Sequence, residues 1–279
     1  MEYCKLCNKK AQLQESHIIP KLVYKWMKQS GTGRLRQNKI LNRPLQDGIK
    51  EYMLCTACEK EFGKREDWFK KNIFEKYLSN PNTIYKIKEE LIYFVISVLW
   101  RVLIYYKDDG NVYRFKKEFD LAASEWKDFL FNLKPLNRFK SIHIAFLPEY
   151  LNIEGGGDNL YSYFHRAVDI EIAESNMKAF VYAKFSRFIL LGMITGIANK
   201  DFSGTSILEL DEINPSNQIM DDADVVDFII NRSTNIKTYN DLSLKQQQLN
   251  DKYFKTRVEK IKGNDYWQVL KKDLKNTRD

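Results

Sequence analysis

Apolar and aromatic side chains recur every three or four positions in several segments of the chain, a spacing that predicts amphipathic helices. Residues 60–78 and 115–133 have this pattern. The segment 84–106 is apolar on most of its faces, so we expect it to be the central helix of a buried bundle. Helical spacing returns near the end of the chain, at 223–230 and 242–274.

Short segments with β-leaning composition lie between these helices and predict strands. They are residues 141–147, 167–173, 179–191 and 206–210. The turn-forming sequence Ser-Asn-Pro-Asn at 79–82 ends the first helical segment, and we place a domain boundary there. The pattern predicts the α+β class, with one domain at residues 1–78 and a larger, mainly helical domain with a small β-sheet at 79–279.

The composition is that of a folded protein. The chain has 279 residues, of which 44% are hydrophobic and 29% charged, so it can bury a sizeable core and is unlike a disordered chain. We expect no membrane span, because no apolar run reaches the roughly 18–20 residues that one requires. The first ten residues carry charges and cysteines where a secretory signal has its apolar segment, which favours a cytoplasmic protein.

All four cysteines occur in two pairs with two-residue gaps, Cys4 with Cys7 and Cys55 with Cys58. Two such pairs can direct four thiolates to one tetrahedral ion at about 2.3 Å, which makes a closed zinc site. Disulfides rarely persist in a reducing cytoplasm, so we predict structural Zn²⁺ instead of cystines. The 47 residues between the pairs exceed the spacing of a compact zinc ribbon and predict a folded or functional insert.

The excess of basic residues lies in the same region of the chain. The net charge is +8; residues 1–78 contain 17 basic and 9 acidic side chains, whereas the rest of the chain is balanced at 28 and 28. The insert also contains His17, the single histidine of the first 78 residues. The excess of basic side chains around His17 in the sequence favours a polyanion such as nucleic acid as the partner.

Together these motifs resemble the HNH (His-Me finger, ββα-metal) endonuclease superfamily, in the variant built into a zinc-bound treble clef. The matching features, in chain order, are the first C-x-x-C pair, the segment Ser-His-Ile-Ile-Pro, an apolar Leu-Cys-x-x-Cys and an acidic residue directly after the last cysteine. They cover residues 1–78, about a quarter of the chain. The resemblance implies a zinc-stapled ββα-metal module ahead of the larger domain.

The resemblance also implies roles for individual residues. His17 would be the general base, for which its ordinary pKa of about 6.5 is suited. A four-thiolate zinc site has no open position, so catalysis would use a second ion, Mg²⁺ or Mn²⁺, with Glu59 as a ligand. Ser16 stands where the family commonly has a metal ligand. The alternatives for the missing oxygen ligand are Asp47, Glu15 and Glu66.

We therefore expect a metal-dependent HNH endonuclease that hydrolyses phosphodiester bonds, with double-stranded DNA as its substrate and a role in bacterial restriction or anti-phage defence. Residues 79–279 would sense a signal, regulate the nuclease or form a homo-oligomer, and a companion regulatory protein is the other partner that we consider. The alternative function is a non-catalytic zinc module that binds nucleic acid or a partner protein. Four basic residues would contact the nucleic-acid backbone: Lys21, Lys25, Arg34 and Arg36.

Overall fold

Helices and strands both contribute to the fold, so the predicted mixed α+β class is confirmed. The computed structural model describes residues 2–37, 40–107, 110–111, 113–151, 159–196, 201–237 and 239–276. Short strands and helices make up the N-terminal part. Its elements are β1 (Glu2–Tyr3), β2 (Lys10–Ala11), β3 (Leu13–His17), α1 (Lys21–Gln29), β4 (Leu35–Gln37), β5 (Ile40–Leu45), β6 (Lys50–Cys55) and α2 (Thr56–Phe69).

Three antiparallel pairs connect these strands: β1 with β2, β3 with β6, and β4 with β5. Helix α1 is missing from the elements that the sequence predicts. A signal for it was present, because Pro20 precedes the helix and Val23, Trp26 and Met27 follow at helical spacing. Lys21 and Lys25 occupy exposed positions of the helix, and Lys28 is half-buried.

The predicted helix at 60–78 is confirmed. It begins at the start of α2, passes through a π-helical turn at Lys70–Phe74 and ends in α3 (Glu75–Ser79). Its early start has a structural reason, since Cys55 ends strand β6 and Cys58 already lies in the first turn of the helix. The helix therefore begins at the second cysteine pair.

Helix α4 (Glu89–Lys107) is the central element of the fold. It is buried on all sides between Leu91 and Leu103, because α2, α5 (Lys116–Asn132) and the main sheet all contact it. The prediction for 84–106 therefore holds except at its start. There Tyr85–Lys86 form a short strand, β7, that pairs with β12 (Glu212–Ile213). The position of α5 confirms the helix predicted at 115–133.

The main sheet has four antiparallel strands, in the order β8 (Ile142–Phe146), β11 (Phe188–Thr195), β10 (Ala179–Phe185) and β9 (Val168–Glu174). Two details differ from the prediction. The segment 179–191 is not one strand but most of a hairpin, since Ser186 has a φ of 49° and, with Arg187, turns the chain between two apolar strands. The segment 206–210 is not a strand: after a single bridge from Ser206 to His143 it turns away from the sheet.

The C-terminal part is helical, with α6 (Ala223–Thr234), α7 (Leu244–Ile261) and α8 (Asp265–Asn276). The helix predicted at 242–274 is divided in two, because Gly263 has a φ of +85°, which glycine adopts without the steric cost of a side chain. In the ranges given above, none of the helices is both long and apolar enough to cross a membrane.

A continuous hydrophobic core joins the N-terminal part to the rest of the chain. Phe69 of α2 stacks on Phe94 of α4, with ring centroids 3.8 Å apart, and lies edge-on to Phe188 of β11 at 5.5 Å. Helix α4 and strand β11 therefore lie directly against residues 1–78. The division into domains at residue 78 stays a prediction.

Candidate metal centre and adjoining cleft

The four cysteines converge at one end of the N-terminal part. Cys4 and Cys7 lie in the turn between β1 and β2, which closes with hydrogen bonds from Asn8 N to Cys4 O (2.9 Å) and from Cys4 N to Lys9 O (3.0 Å). Asn8 adopts a φ of 58°, a conformation that asparagine tolerates. The backbone N–H of Cys55 donates to the Cys4 sulfur at 3.3 Å, which links the two pairs.

The arrangement of the sulfur atoms fits a tetrahedral ion. All four lie within 4.8 Å of one another, none forms a disulfide, and the Cys7 and Cys55 sulfurs are 3.8 Å apart. Thiolates at about 2.3 Å from a tetrahedral zinc ion would be about 3.8 Å apart. The cluster is therefore compatible with a structural zinc site, as the sequence predicts.

The acidities of the thiols are consistent with a metal-binding role. Burial acts to raise the pKa of Cys55, but hydrogen bonds from Cys58 and the other thiols outweigh it and lower the pKa to about 7. Burial and the neighbouring sulfurs raise the pKa of Cys58 instead. Several thiolates this close together would repel one another. A divalent cation that displaces the protons of the thiols removes this repulsion, because it neutralises the thiolates that form.

A cleft of about 310 Å³ opens beside this cluster. Four elements line it: the end of β3, the start of α1, one face of α2 and the middle of α4. Because β3 pairs with β6, and β6 runs directly into α2, the second cysteine pair fixes the positions of both the strand and the helix. The charged and titratable residues that line the cleft are His17, Lys21, Glu59, Lys60, Glu66 and Arg101.

His17 is positioned against a carboxylate. Its side chain is 12% exposed, and Nε2 lies 3.0 Å from Asp47 Oδ2. The oxygen is out of line with the N–H, so Nε2 has no hydrogen-bond partner of ordinary geometry in the described part of the chain. Burial lowers the pKa of His17; Asp47 opposes this shift, and Lys50 and Lys21 reinforce it. The imidazole is therefore neutral at pH 7, and the carboxylate beside Nε2 favours the tautomer with Nδ1 as proton acceptor.

Asp47 stays ionised and is held from its other side. Its Oδ1 accepts the backbone N–H of Gly48 at 3.0 Å, and Lys50 Nζ lies 3.7 Å from Oδ2. Burial acts to raise the pKa of Asp47, but the Gly48 N–H, His17 and Lys50 together lower it. Asp47, predicted as one alternative for a metal ligand, lies beside His17 Nε2 in the structure.

Ser16 and Glu59 form a hydrogen bond across the hairpin-to-helix junction. Ser16 is fully buried, and its Oγ donates to Glu59 Oε2 at 2.6 Å. Ser16 therefore orients the carboxylate that we predicted as a metal ligand. Of the alternatives for a further oxygen, Glu66 lines the cleft, whereas Glu15 is exposed and contacts Lys50 at 3.2 Å.

Arg101 is a residue of this site that the sequence analysis missed. It lies on the apolar helix α4 and is 1% exposed, yet it borders the cleft. Its Nη1 donates to His17 O and to Glu66 Oε1, both at 2.8 Å, and its Nε donates to Ser97 O at 3.2 Å. Its buried Nη2 has no hydrogen-bond partner among the described residues. A charge within an apolar helix requires a partner in the fold, and that signal pointed to this residue.

The carboxylates of the cleft do not form a second metal centre on their own. Among the residues that the structure describes, the cysteine cluster is the only group of three or more Cys, His, Asp or Glu ligands close enough to share an ion. Glu59 is bonded to Ser16, and Glu66 to Arg101. Glu59 as a ligand of Mg²⁺ or Mn²⁺ thus stays a prediction.

The four basic residues predicted to bind nucleic acid fall into two groups. Lys21 and Lys25 are exposed on one face of α1, and Lys21 borders the cleft. Arg34 and Arg36 instead lie against α7, where each donates a hydrogen bond to Asn250 Oδ1, at 3.3 and 2.8 Å. Of these four residues, Lys21 is the one that the structure places at the cleft with His17.

Comparisons of this chain with models of protein families, with curated proteins and with solved structures found no match.

Proposed function

We propose that this protein is a metal-dependent phosphodiesterase of the HNH type that cuts nucleic acid in the cleft at His17. The observation that carries the proposal is the convergence there of a neutral histidine, a carboxylate at its Nε2 and a buried guanidinium with an unused donor. Hydrolysis of a phosphodiester requires an activated water and positive charge at the phosphate. In the proposal, His17 activates the water and the Arg101 guanidinium supplies the positive charge.

The local architecture supports this function. The antiparallel strands β3 and β6 are followed directly by α2, and His17 ends the first of these strands. The cysteine cluster holds together the start of the chain and the strand-to-helix junction. This order of elements is the one that the resemblance to the HNH superfamily implies.

Each residue of the cleft has a defined role in the proposal. His17 accepts a proton from water, and the Asp47 carboxylate, 3.0 Å from Nε2, stabilises the cation that forms. Arg101 Nη2 donates to a phosphate oxygen. Lys21 and Lys60 on the rim, with Lys25 one helical turn further, attract the phosphate backbone without reading its sequence.

A divalent cation is part of the proposal, with Glu59 and Glu66 as the carboxylates that border its position. Mg²⁺ commonly binds through one or two carboxylates together with water and substrate phosphate oxygens, so a site that is incomplete in the protein alone is compatible with it. Such an ion would neutralise charge on the phosphate. We propose Mg²⁺ or Mn²⁺ for this position.

We further propose double-stranded DNA as the substrate, a cytoplasmic role in restriction or anti-phage defence, and regulation of the nuclease by residues 79–279. Control by that part of the chain has a physical basis, because α4 contributes Arg101 to the cleft. A nuclease that contacts only the backbone would attack its host's DNA if it were always active.

A second candidate function is a zinc module that binds nucleic acid without cutting it. It is favoured by one observation, that both carboxylates of the cleft are bonded to Ser16 and Arg101 and not grouped as ligands. The basic surface and the cysteine cluster would serve this function equally well.

Plasmid nicking separates the two candidates. The zinc-loaded full chain is incubated with supercoiled DNA in Mg²⁺, in Mn²⁺ and in neither, and the same series is run on His17→Ala and His17→Gln. A nuclease gives nicked or linear DNA only with the ion, and the variants lose about 10²–10⁴-fold in rate. DNA retention and zinc content serve as controls and are expected to stay unchanged. Retention without cleavage by the wild type would favour the binding module.

A further inference from the structure

The edge of the main sheet borders a second and larger cavity, of about 1,030 Å³. The sheet ends at β9, which pairs with β10 on one side and, in the described part of the chain, with no strand on the other. Residues 168–171 of β9 form part of the cavity wall. Residues of α1, α4, α6, α7 and α8 line much of the remainder.

The register of β9 decides which of its backbone groups point away from the sheet. The hairpin to β10 closes with a hydrogen bond from Ser175 N to Lys178 O at 2.8 Å, and the register continues without a shift along the whole strand. Hydrogen-bonded and non-bonded pairs alternate in an antiparallel ladder. The odd-numbered residues of β9 therefore bond to β10, whereas Val168, Ile170 and Ile172 direct their N–H and C=O groups outward.

Side chains satisfy only some of these outward groups. The Tyr106 hydroxyl donates to Ile170 O at 2.9 Å, and the Ile172 N–H donates to Glu171 Oε1 at 3.3 Å. The Ile170 N–H and the Val168 C=O have no hydrogen-bond partner among the residues that the structure describes. Ile170 is 6% exposed, and a buried N–H without a partner costs stability. A ligand that accepts from this N–H recovers the cost.

A free donor and a free acceptor at strand spacing match the backbone of an extended peptide. A peptide that runs beside β9 presents N–H and C=O groups at the same spacing, so it can donate to Val168 O and accept from the Ile170 N–H. From Val168 to Ile172 the edge is about 13 Å long at about 3.3 Å per residue, so it pairs with about five residues of peptide.

Side chains of such a peptide alternate between the two faces of the sheet. Helix α4 covers one face, where Tyr106 lines the cavity, and α6 covers the other, where Phe228 lines it. The charges beside β9 are already paired, because Arg232 bonds to Asp169 and, at 3.0 Å, to Glu171. The two walls therefore favour apolar and aromatic side chains.

The surroundings of the edge favour a single strand over the edge of another folded sheet. Small-molecule sites usually measure about 300–1,000 Å³, so a cavity of this volume holds a short extended segment but no folded unit. At the far end of β9, the Glu174 carboxylate accepts the N–H groups of Arg114 and Phe115 at 3.0 and 2.9 Å. Residues of this chain close that end of the strand, and the stretch open to a peptide is 168–172.

We propose that the large cavity binds an extended peptide segment of a partner protein, with apolar or aromatic side chains, and that the segment joins the main sheet as a fifth strand beside β9. The inference stands on the β9 edge and the cavity. It does not rest on the proposed nuclease function.

Peptide selection on the zinc-loaded full chain supplies the probes. Phage that display random heptapeptides are selected on the immobilised protein, and the enriched sequences are synthesised with capped ends for calorimetric titration. We expect dissociation constants of about 100 μM or lower. No peptide in this range would overturn the proposal.

Methylation of single backbone nitrogens of the peptide tests how it is recognised. Successive N–H groups of a strand point to opposite edges, so methylation at alternate positions should weaken binding about tenfold or more and have little effect at the positions between them. Affinities that do not alternate with the methylated position would overturn strand addition.

Amide hydrogen exchange, followed residue by residue with nuclear magnetic resonance, locates the added strand. In the free protein the Ile170 N–H should exchange faster than that of Glu171, which bonds to β10. Saturating peptide should slow the exchange of Ile170 about tenfold or more and leave Glu171 unchanged. Unchanged exchange of Ile170 would overturn the site. Protection of Ile170 in the free protein that accompanies a dimer in light scattering would assign the edge to a second copy and overturn the partner peptide.

Two substitutions at one position separate the backbone from the side chain. Ile170→Ala keeps the N–H, whereas Ile170→Pro removes it, and proline is tolerated where an edge strand directs its N–H outward. We expect Ile170→Ala to bind the peptide within about threefold of the wild type and Ile170→Pro about tenfold or more weakly. Val168→Pro places a proline ring on the same edge and replaces Ile170→Pro if that variant folds poorly. Equal affinity in the alanine and proline variants would overturn the proposal.

Discussion

Arg101 Nη1 and the backbone oxygen of His17 are joined by a 2.8 Å hydrogen bond across 84 positions of sequence. The bond places a guanidinium from the central helix beside the residue that we propose as general base. The same nitrogen also bonds to Glu66, so one side chain of α4 connects β3 with α2. Any function of the cleft therefore depends on the position of α4 relative to β3 and α2.

Variants of Arg101 distinguish its contribution to stability from its contribution to cleavage. Arg101→Met leaves Glu66 buried without its partner and is expected to cost about 3–5 kcal/mol of unfolding free energy, measured in denaturant. The double variant Arg101→Met, Glu66→Gln should recover most of that loss, because neither charge is then left unpaired. Cleavage should stay low in both variants. Full activity in the refolded double variant would exclude Arg101 as a phosphate ligand.

Removal of the zinc should unfold the N-terminal part. Structural zinc supplies about 10–16 kcal/mol in small zinc domains. Cys55→Ser or a strong chelator is therefore expected to abolish the near-ultraviolet circular dichroism of residues 1–78. The helices of residues 79–279 are expected to persist. Metal analysis of the wild type should give about one zinc per chain. Addition of zinc after chelation should restore the signal in the wild type but not in Cys55→Ser. A protein that folds fully without metal would contradict this prediction.

The carboxylate of Glu59 can be tested against a neighbour on the same helix. Glu59→Gln should abolish activity that depends on Mg²⁺ while zinc content stays the same. Ser16→Ala should reduce it less, because the carboxylate remains but loses its buried hydrogen bond. The matched control is Glu61→Gln, whose side chain pairs with Lys64 and Arg65 at the surface. Loss of activity in Glu61→Gln as well would show that the effect is not specific to the cleft.

The pH dependence of cleavage should report the charges around His17. A general base works when it is neutral, so the rate is lost as the pH falls through the pKa of His17, which burial places below 6.5. Asp47 raises this pKa and Lys50 lowers it. Asp47→Asn should therefore move the acid limb of the rate profile to lower pH and also reduce the plateau, whereas Lys50→Met should move the limb to higher pH.

Single-turnover rates between pH 5 and 8 measure both shifts, with Lys25→Met as a charge-matched control on α1. Shifts in the same direction for the two variants, or none in either, would show that His17 does not set the acid limb.

The sequence predicted those features that depend on local spacing. The cysteine pairs indicated their own cluster, and the helices at 60–78 and 115–133 followed from apolar periodicity. The hairpin within 179–191 does not stand out in the sequence because both strands are buried, and the polar residues at its turn, Ser186 and Arg187, are buried with them. Helix α1 is not among the predicted elements, although its apolar positions are helically spaced.

The site was harder to predict, because its partners come from distant segments. His17 was identified from its motif, but its contact with Asp47 depends on the pairing of β3 with β6. Arg101 interrupted an apolar run, and its role depends on where α4 lies in three dimensions. The lysines and arginines of the insert looked alike in sequence, whereas the fold turns Arg34 and Arg36 toward α7.

The most direct test of the central claim is the single-turnover rate at which the protein cuts a bound DNA duplex in the presence of Mg²⁺ or Mn²⁺, compared between the wild type and His17→Ala. If His17 activates the water, the variant binds the duplex and keeps its zinc, yet cuts it about 10²–10⁴-fold more slowly. Equal rates for the two proteins would contradict the assignment of His17 as the base.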